Sequence, residues 1–250
     1  MTVDATGATK GASAAENATL AAPAADAAFA PVRVWDLPTR VFHWLLALLV
    51  VFSIVSAHIG GGAMVWHMRS GYAVFTLLLF RLVWGFLGGR WSRFATFLYA
   101  PSTSLRYLRG ESLPDEHHHV GHNPLGAWSV FALLGVLAVQ VASGLVADDE
   151  IAANGPLVRF VSSATSSAAT RWHKNFGQWI IVTLVILHLG AIAFYWLKRR
   201  HNLVAPMLHG DKVLAGEVPA ALDTVGSRTL ALAIAAACAL AVAAIVRLAD

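Results

Sequence analysis

The chain has 250 residues, of which 57% are hydrophobic and only 13% are charged, and its formal net charge is +4. A mean hydropathy of +0.62 excludes an ordinary soluble globular domain and predicts an all-α integral membrane protein. Basic residues at the ends of membrane spans explain the positive charge, so we expect no nucleic-acid partner. The single cysteine, Cys238, excludes a disulfide framework and a thiolate metal cluster.

Residues 1–30 form an alanine-rich N-terminal segment with almost no large apolar side chains. Such a segment cannot bury enough surface to offset the loss of chain entropy, so we expect a disordered tail. It also lacks a basic region followed by an apolar core, and we therefore expect no cleaved signal peptide.

Five apolar runs follow, each long enough to cross about 30 Å of hydrocarbon. They lie near residues 41–59, 70–89, 126–147, 175–197 and 229–247. The first four belong to a predicted membrane domain over residues 31–212, and residues 213–250 form a linker with an additional C-terminal span. Residues 229–246 carry no charge, so we expect this span to contact lipid or a partner helix rather than to take part in chemistry.

Basic residues cluster on one side of the membrane if the spans alternate in direction. They are Lys10, Arg33 and Arg40 before span one, Arg90, Arg93, Arg106 and Arg109 after span two, and Lys198, Arg199, Arg200 and Lys212 after span four. The positive-inside rule then places the N terminus and the 90–125 and 198–228 loops in the cytoplasm. The opposite side carries an acidic run, Asp148 to Glu150, which could attract a basic cytochrome although such loops are usually only solvated.

Two histidines, His173 and His188, lie fifteen residues apart in span four. This spacing is about 22 Å along a continuous α-helix and keeps both side chains within about 60° of one face. Alternating spans bring His188 to the depth of His43 at the cytoplasmic side and His173 to the depth of His67 at the outer side. Two imidazoles without a cysteine or carboxylate beside them suit bis-histidine ligation of haem iron, whereas zinc needs its ligands gathered around one point. The sequence therefore predicts a di-haem transmembrane bundle.

The remaining histidines offer alternative interpretations. His58 competes for the outer site, although it is followed by Gly60, Gly61 and Gly62 in a predicted turn, and His201 and His209 are predicted to be interfacial. A cytoplasmic cluster could bind a metal, but a hydrated polar loop is the preferred interpretation; its members are His117, His118, His119 and His122. A single histidine at a span end is often only an interfacial polar residue, and a transporter with histidine proton relays is a further alternative.

Four basic side chains lie near the proposed ligands or inside a span. Arg40, Arg69 and Lys174 could pair with haem propionates, although ordinary snorkelling explains them equally well. Arg81 lies well inside span two, where a lipid-facing guanidinium is costly, so we expect it to face the bundle near the cytoplasmic haem or a quinone. Small residues that would let a porphyrin or a helix approach the backbone are Gly71, Gly85, Gly135, Gly144, Gly177 and Gly190.

Four segments of the chain resemble the bacterial cytochrome b561 family, most closely the b-type cytochrome subunits of nickel-iron hydrogenases. They are VWDLPTRVFHWLLALLVV at 34–51, HMRSGYAVFTLLLFRLVWGFLGGRWSRF at 67–94, GHNPLGAW at 121–128 and DDEIAANGPL at 148–157. The resemblance implies a four-helix bundle with two b haems, ligated by His43 and His67 in the first two helices and by His173 and His188 in the fourth.

The resemblance also implies electron transfer between a redox partner and membrane quinone, and it implies a place in a bacterial inner membrane. We expect the partner to be a hydrogenase, a dehydrogenase or a soluble cytochrome, and a homo-oligomer stays open. A stand-alone superoxide:quinone oxidoreductase is the alternative, since some members of the family are thought to act in this way. Two features depart from the pattern: Lys174 stands where many relatives have an acidic residue, and the fifth span lies beyond the usual four-helix core.

Overall fold

The computed structural model describes residues 29–111, 120–150 and 153–248. Most of the predicted disordered tail and three members of the loop cluster, His117, His118 and His119, lie outside these ranges. The elements in chain order are β1 Phe29–Arg33, α1 Leu37–Ile59, α2 Met64–Leu87, α3 Pro101–Arg109, α4 Pro124–Leu145, α5 Ser163–Arg171, α6 Gln178–Leu197, α7 Val204–His209, β2 Asp211–Ala215 and α8 Val225–Arg247. Short 3₁₀ turns occupy Gly61–Ala63, Arg90–Ser92, Phe94–Thr96 and Val158–Phe160, and a π-helical segment, Trp172–Gly177, joins α5 to α6.

Five membrane-spanning helices are present in the described residues, as the hydropathy predicts. They are α1, α2, α4, the continuous helix over residues 163–197 and α8, and each is long and apolar enough to cross a bilayer. Their starts follow from local sequence signals. The side chains of Asp36, Asn123 and Thr224 cap the amino ends of α1, α4 and α8, and prolines stand in the first turn of α1 and α4.

A small antiparallel sheet departs from the predicted all-α fold. Strand β1 pairs with β2 in the register Pro31 to Val213, and β1 begins at Phe29, inside the predicted tail. Each strand is five residues long, and the two strands are about 180 residues apart in the chain. Short runs of this kind carry too little periodicity to be recognised from sequence, because the pairing itself stabilises them.

Charged residues reinforce this sheet in what we call the ionic clasp, formed by Arg33, Arg40, Asp211, Asp223 and Arg228. Arg33 Nε donates to Asp211 at 2.5 Å and its Nη1 to Asp223 at 2.6 Å, and Arg228 Nε donates to Asp223 at 2.9 Å. Burial raises the pKa of Asp223, but the hydrogen bonds from Arg228 and Arg33 outweigh it and hold the pKa at about 2. The ionised Asp223 therefore makes its full contribution to the free energy of unfolding above about pH 4, and this contribution is lost as the pH falls towards 2.

Asp36 joins the start of α1 to the end of α2. Its carboxylate is fully buried and accepts hydrogen bonds from Thr39 N at 2.8 Å, Trp84 Nε1 at 3.2 Å, Gly89 N at 3.1 Å and Ser92 Oγ at 2.7 Å. These donors come from the first turn of α1, the last turns of α2 and the loop that follows. One side chain thus fixes the relative position of the first two spans.

Helix α2 lies at the centre of the bundle, with α1, α4 and α8 around it. The buried cluster at the contact consists of Phe42, Phe80, Trp84, Ala231 and Cys238. The fifth span therefore docks on α2 of its own chain.

The described parts of the N-terminal segment and of the 90–125 and 198–228 loops, all predicted to be cytoplasmic, lie together at one end of the bundle, which we call the inner end. Trp91 Nε1 donates to Pro219 O at 2.9 Å, and Lys212 Nζ donates to Val120 O at 2.6 Å. These contacts join the loops after α2 and α6, and β1 is attached to the same surface through β2. Residues 148–150 and 153–162 lie at the opposite, outer end because the spans alternate in direction.

We predict that Asp36→Ala strongly destabilises the protein. The substitution leaves four donors without their acceptor, and each buried donor without a partner costs about 1–3 kcal/mol. Thermal unfolding of the detergent-solubilised protein should therefore start at a clearly lower temperature. The exposed Glu111, changed to alanine, serves as the control; equal stability of the two variants would show that Asp36 is not a structural junction.

Asp223→Ala should loosen the sheet without unfolding the bundle. A lost hydrogen bond to a charged group costs about 1.5 kcal/mol or more, which corresponds to at least about tenfold faster local exchange. Hydrogen exchange measured by mass spectrometry should accelerate in residues 29–33 and 211–215 and stay unchanged in α4. The exposed Glu217 changed to alanine should leave the exchange of both strands as in the parent chain.

Candidate functional site

The structure brings the four predicted histidines together in two pairs. The rings of His67 and His173 have centroids 5.9 Å apart and planes at 83°, and those of His43 and His188 have centroids 6.5 Å apart and planes at 50°. The first pair lies towards the outer end and the second towards the inner end. Depth along each span therefore predicted the correct partners, while the role of the rings as iron ligands stays a prediction.

The separation within each pair is suited to one metal ion between two imidazoles. A metal–imidazole bond is about 2 Å long, so two such bonds and the distances from nitrogen to ring centre come to about 6 Å. No hydrogen bond joins the two rings of either pair among the described residues. The rings of each pair are thus close neighbours that no direct hydrogen bond joins.

In the outer pair, each ring is oriented by a backbone carbonyl of a neighbouring helix. His67 Nδ1 lies 2.9 Å from Ser53 O in α1, and His173 Nδ1 lies 2.9 Å from Gln140 O in α4. A neutral imidazole that donates from Nδ1 has its lone pair on Nε2, which is the arrangement that metal-binding histidines use. These contacts support a metal-binding role for both rings.

In the inner pair, a buried ring nitrogen lacks a partner. His43 Nδ1 is inaccessible to solvent and accepts or donates no hydrogen bond among the described residues. Trp44 packs edge-on against the ring at 5.1 Å, and its indole Nε1 donates to Met207 O at 3.1 Å. A buried polar atom without a partner marks a place where a ligand is expected.

The π-helical segment changes the geometry expected for the fourth span. A π-helix has more residues per turn than an α-helix and rises less per residue, so the expected 22 Å and 60° between His173 and His188 do not hold across residues 172–177. The side-chain amide of Gln140 donates to His173 O at 2.9 Å. Gly177 gives the Gln140 side chain room, since a Cβ there would displace the Gln140 amide.

A cavity of about 320 Å³ lies beside the outer pair, between α1, α2, α4 and the fourth span. Gly71 and Lys174 contribute to its lining, and a Cβ at Gly71 would meet only open space. The six predicted glycines therefore divide into two groups. Gly71, Gly135 and Gly190 face open space, whereas Gly85, Gly144 and Gly177 pack against Phe94, His173 and Gln140 respectively.

The basic residues take different positions. Arg81 is only 4% exposed, and its Nη2 donates to Ser92 O at 3.0 Å while its Nη1 has no partner among the described residues, so it faces the bundle as predicted. Arg40 Nη1 donates to Leu208 O at 2.5 Å. The Nε atom of Arg40 is buried and has no hydrogen-bond partner among the described residues. Arg69 lies over the ring of Trp66 at 5.0 Å and does not line the cavity, as expected for a snorkelling side chain.

The competing histidines take other roles. His58 lines the outer cavity, but its Nδ1 is bonded to Ile54 O of its own helix at 2.8 Å. The expectation of a hydrated loop is wrong for His122, whose ring packs between Trp35 at 4.8 Å and Phe97 at 4.5 Å. Desolvation there lowers the pKa of His122. The described residues contain no group of three or more residues able to bind a metal ion together.

Sequence reasoning missed several polar residues around the two pairs. Gln140 orients His173, and its position in an otherwise apolar span was the available signal. Tyr195 stands seven residues after His188, on nearly the same helix face, and its hydroxyl lies 2.8 Å from both Tyr107 Oη and Asn123 Nδ2. The spacing from His188 could have indicated this network towards the inner surface.

Comparison with known proteins gives the chain's relatives. It is 26% identical over 222 residues to a probable Ni/Fe-hydrogenase B-type cytochrome subunit of Azotobacter chroococcum mcd 1, covering 75% of this chain and 91% of the relative. It is 24% identical over 217 residues to the subunit of the same name in Rhodobacter capsulatus, covering 72% and 81%. It is 24% identical over 211 residues to the probable Ni/Fe-hydrogenase 1 B-type cytochrome subunit of Escherichia coli K12, covering 71% and 88%.

A sequence model of one protein family, described as prokaryotic cytochrome b561, matches residues 34–210. This segment is well over half of the chain and contains both histidine pairs, whereas β1, β2 and α8 lie outside it. The chain therefore belongs to the prokaryotic cytochrome b561 family, as the resemblance predicted, and is a membrane b-type cytochrome, a class that carries haem b and transfers electrons.

Proposed function

We propose that the protein holds two haem b groups, one between His43 and His188 and one between His67 and His173, in a four-helix core extended by α8. The observation that supports this most directly is the two facing pairs, with ring centroids 6.5 and 5.9 Å apart, at different depths of the bundle. When bound, haem supplies reversible one-electron chemistry at its iron. The chain is thus an electron conduit across the membrane.

The protein's own part is to supply imidazoles from both sides and to hold them in place. Ser53 O and Gln140 O fix the outer rings, and the packing of Trp44 limits the rotation of His43. An iron held by two imidazoles would have no position left for dioxygen, which favours electron transfer over oxygen chemistry.

Basic side chains at both sites are suited to the carboxylates of haem. Lys174 lines the outer cavity, and at the inner end Arg40 Nε and Arg81 Nη1 are buried donors without partners in the described chain. Guanidinium groups bind carboxylates through directed hydrogen bonds. We therefore assign these three residues to binding propionates.

The relatives support a specific kind of partner. They are named as cytochrome subunits of Ni/Fe hydrogenases, and this chain contains no glycine-rich nucleotide fingerprint through which it could oxidise a nicotinamide itself. We propose that a hydrogenase-type partner exchanges electrons with the haems and that membrane quinone is the other redox partner. The basic clusters at the inner end support a bacterial inner-membrane location with that end in the cytoplasm.

We predict two non-covalently bound b haems per chain, because two histidine pairs are available and no cysteine pair offers covalent attachment. Pyridine haemochrome analysis of the purified, haem-saturated protein should give a ratio of two. As a control, the double variant His43→Ala/His188→Ala should retain one haem. A ratio of one or zero in the parent protein contradicts the proposal.

Single substitutions in the fourth span should separate the two sites. His173→Ala should remove mainly the outer haem and His188→Ala mainly the inner haem, since each leaves one imidazole without its counterpart. Reduced-minus-oxidised spectra should show loss of about half the haem signal in each case, with different residual bands. His58→Ala is the matched control and should retain both haems; loss of a haem in that variant would show that the pairing is wrong.

A further inference from the structure

We infer that two buried serines, Ser56 and Ser143, raise the reduction potential of the outer haem through the backbone carbonyls that orient its ligands. Each hydroxyl shares a carbonyl oxygen with one imidazole N–H and so weakens the hydrogen bond of that ring. The inference rests on the proposed function, because it needs a haem between His67 and His173. It goes beyond that function in naming two tuning residues, neither of which lines the outer cavity.

The carbonyl that orients His173 is shared with a serine hydroxyl. His173 Nδ1 lies 2.9 Å from Gln140 O, and Ser143 Oγ donates to the same oxygen at 2.9 Å. A carbonyl oxygen can only accept, so Nδ1 carries the ring proton. Ser143 Oγ lies 3.4 Å from His173 Nδ1, which is too long for a good bond between these two atoms. Ser143 is 9% exposed, so the shared oxygen is shielded from water.

The same arrangement recurs at His67. His67 Nδ1 lies 2.9 Å from Ser53 O, and Ser56 Oγ donates to that oxygen at 3.1 Å. Ser56 is 3% exposed and donates more closely to Phe52 O at 2.7 Å. Its hydroxyl is thus divided between two carbonyls, whereas Ser143 donates to one carbonyl among the described residues. We therefore expect Ser143 to have the larger effect.

The inner pair has no such arrangement in the described part of the chain. His43 Nδ1 has no hydrogen-bond partner there, and no serine or threonine hydroxyl shares an acceptor with the ring of His188. The inner haem therefore serves as an internal reference for effects confined to the outer site.

Sharing an acceptor weakens the hydrogen bond of the ring. A carbonyl oxygen has two lone pairs, and because the helix ladder uses one of them, the ring and the hydroxyl compete for the other. An imidazole whose N–H is strongly bonded becomes a more basic ligand, which stabilises oxidised iron and lowers the potential. The two serines oppose this effect and hold the outer potential higher.

Other contacts hold the histidine backbones in place when a serine is removed. Gln140 Nε2 donates to His173 O at 2.9 Å, and Ser70 Oγ donates to His67 O at 2.9 Å. Neither bond involves the two tuning serines. Alanine at either position should therefore strengthen the bond of the ring rather than release the ring.

The test is a spectroelectrochemical titration of the haem-loaded, full-length protein in nanodiscs, in which His173→Ala and His188→Ala identify the two transitions. Ser143→Ala should lower the outer potential, and Ser56→Ala should lower it by a smaller amount. Both should leave the inner potential unchanged. Ser143→Thr keeps a hydroxyl and should retain the parent value.

Thr76→Ala is the matched control. Thr76 Oγ1 donates to Tyr72 O at 3.0 Å, a carbonyl that orients no histidine among the described residues. This variant removes a hydroxyl of the same kind from a span, so both potentials should stay as in the parent chain.

Nuclear magnetic resonance of the reduced, haem-loaded protein gives a second measurement, because low-spin ferrous iron is diamagnetic. With ¹⁵N-labelled histidine, the Nδ1 proton of His173 should move to lower field in Ser143→Ala, since a stronger hydrogen bond deshields the proton. The same proton should stay in place in Thr76→Ala.

Some results would overturn the inference and leave the proposed function intact. These are two bound haems with an outer potential that Ser143→Ala raises or leaves unchanged, or equal shifts in Ser143→Ala and Thr76→Ala. If Ser143→Ala does not fold, Ser56→Ala decides the matter by the same criterion. Failure to bind two haems would instead contradict the proposed function itself.

Discussion

A buried carboxylate at the junction of the first two spans organises this protein. Asp36 is removed from water, and a buried charge is tolerated only when hydrogen bonds replace its hydration. Four donors do so, and they come from α1, α2 and the loop after α2. The two helices cannot slide past one another without breaking these bonds. Because His43 and His67 are carried by α1 and α2, the same junction sets the depth of one ring in each pair.

The second requirement is that polar ring nitrogens inside an apolar bundle need partners. Backbone carbonyls supply them in the outer pair, where Ser53 O and Gln140 O accept from the rings although both residues lie within helices. Carbonyl oxygens have two lone pairs, so a helix can offer one to a neighbouring side chain and keep its own ladder. The rings are thus held by rigid elements, which is what a site with fixed ligand geometry requires.

The features of the structure that could be predicted from sequence are those that depend only on the position of a residue along its membrane span. Hydropathy located the five spans, and residue number along each span was enough to match His43 with His188 and His67 with His173. The π-helical segment, the β1–β2 pairing and the burial of His122 between Trp35 and Phe97 depend on contacts between distant segments. A single sequence does not contain those contacts, so the histidine-rich cluster that includes His122 favoured a hydrated loop.

Family membership explains the histidines but not all of the charge around them. The matched segment, residues 34–210, contains all four paired histidines together with Arg40 and Arg81. Five charged residues at the inner end lie outside it, on the sheet, on the linker or at the start of α8: Arg33, Asp211, Lys212, Asp223 and Arg228. Both histidine pairs therefore belong to the family core, whereas the sheet strands, the linker and α8, which carry the rest of this charge, lie on either side of that core.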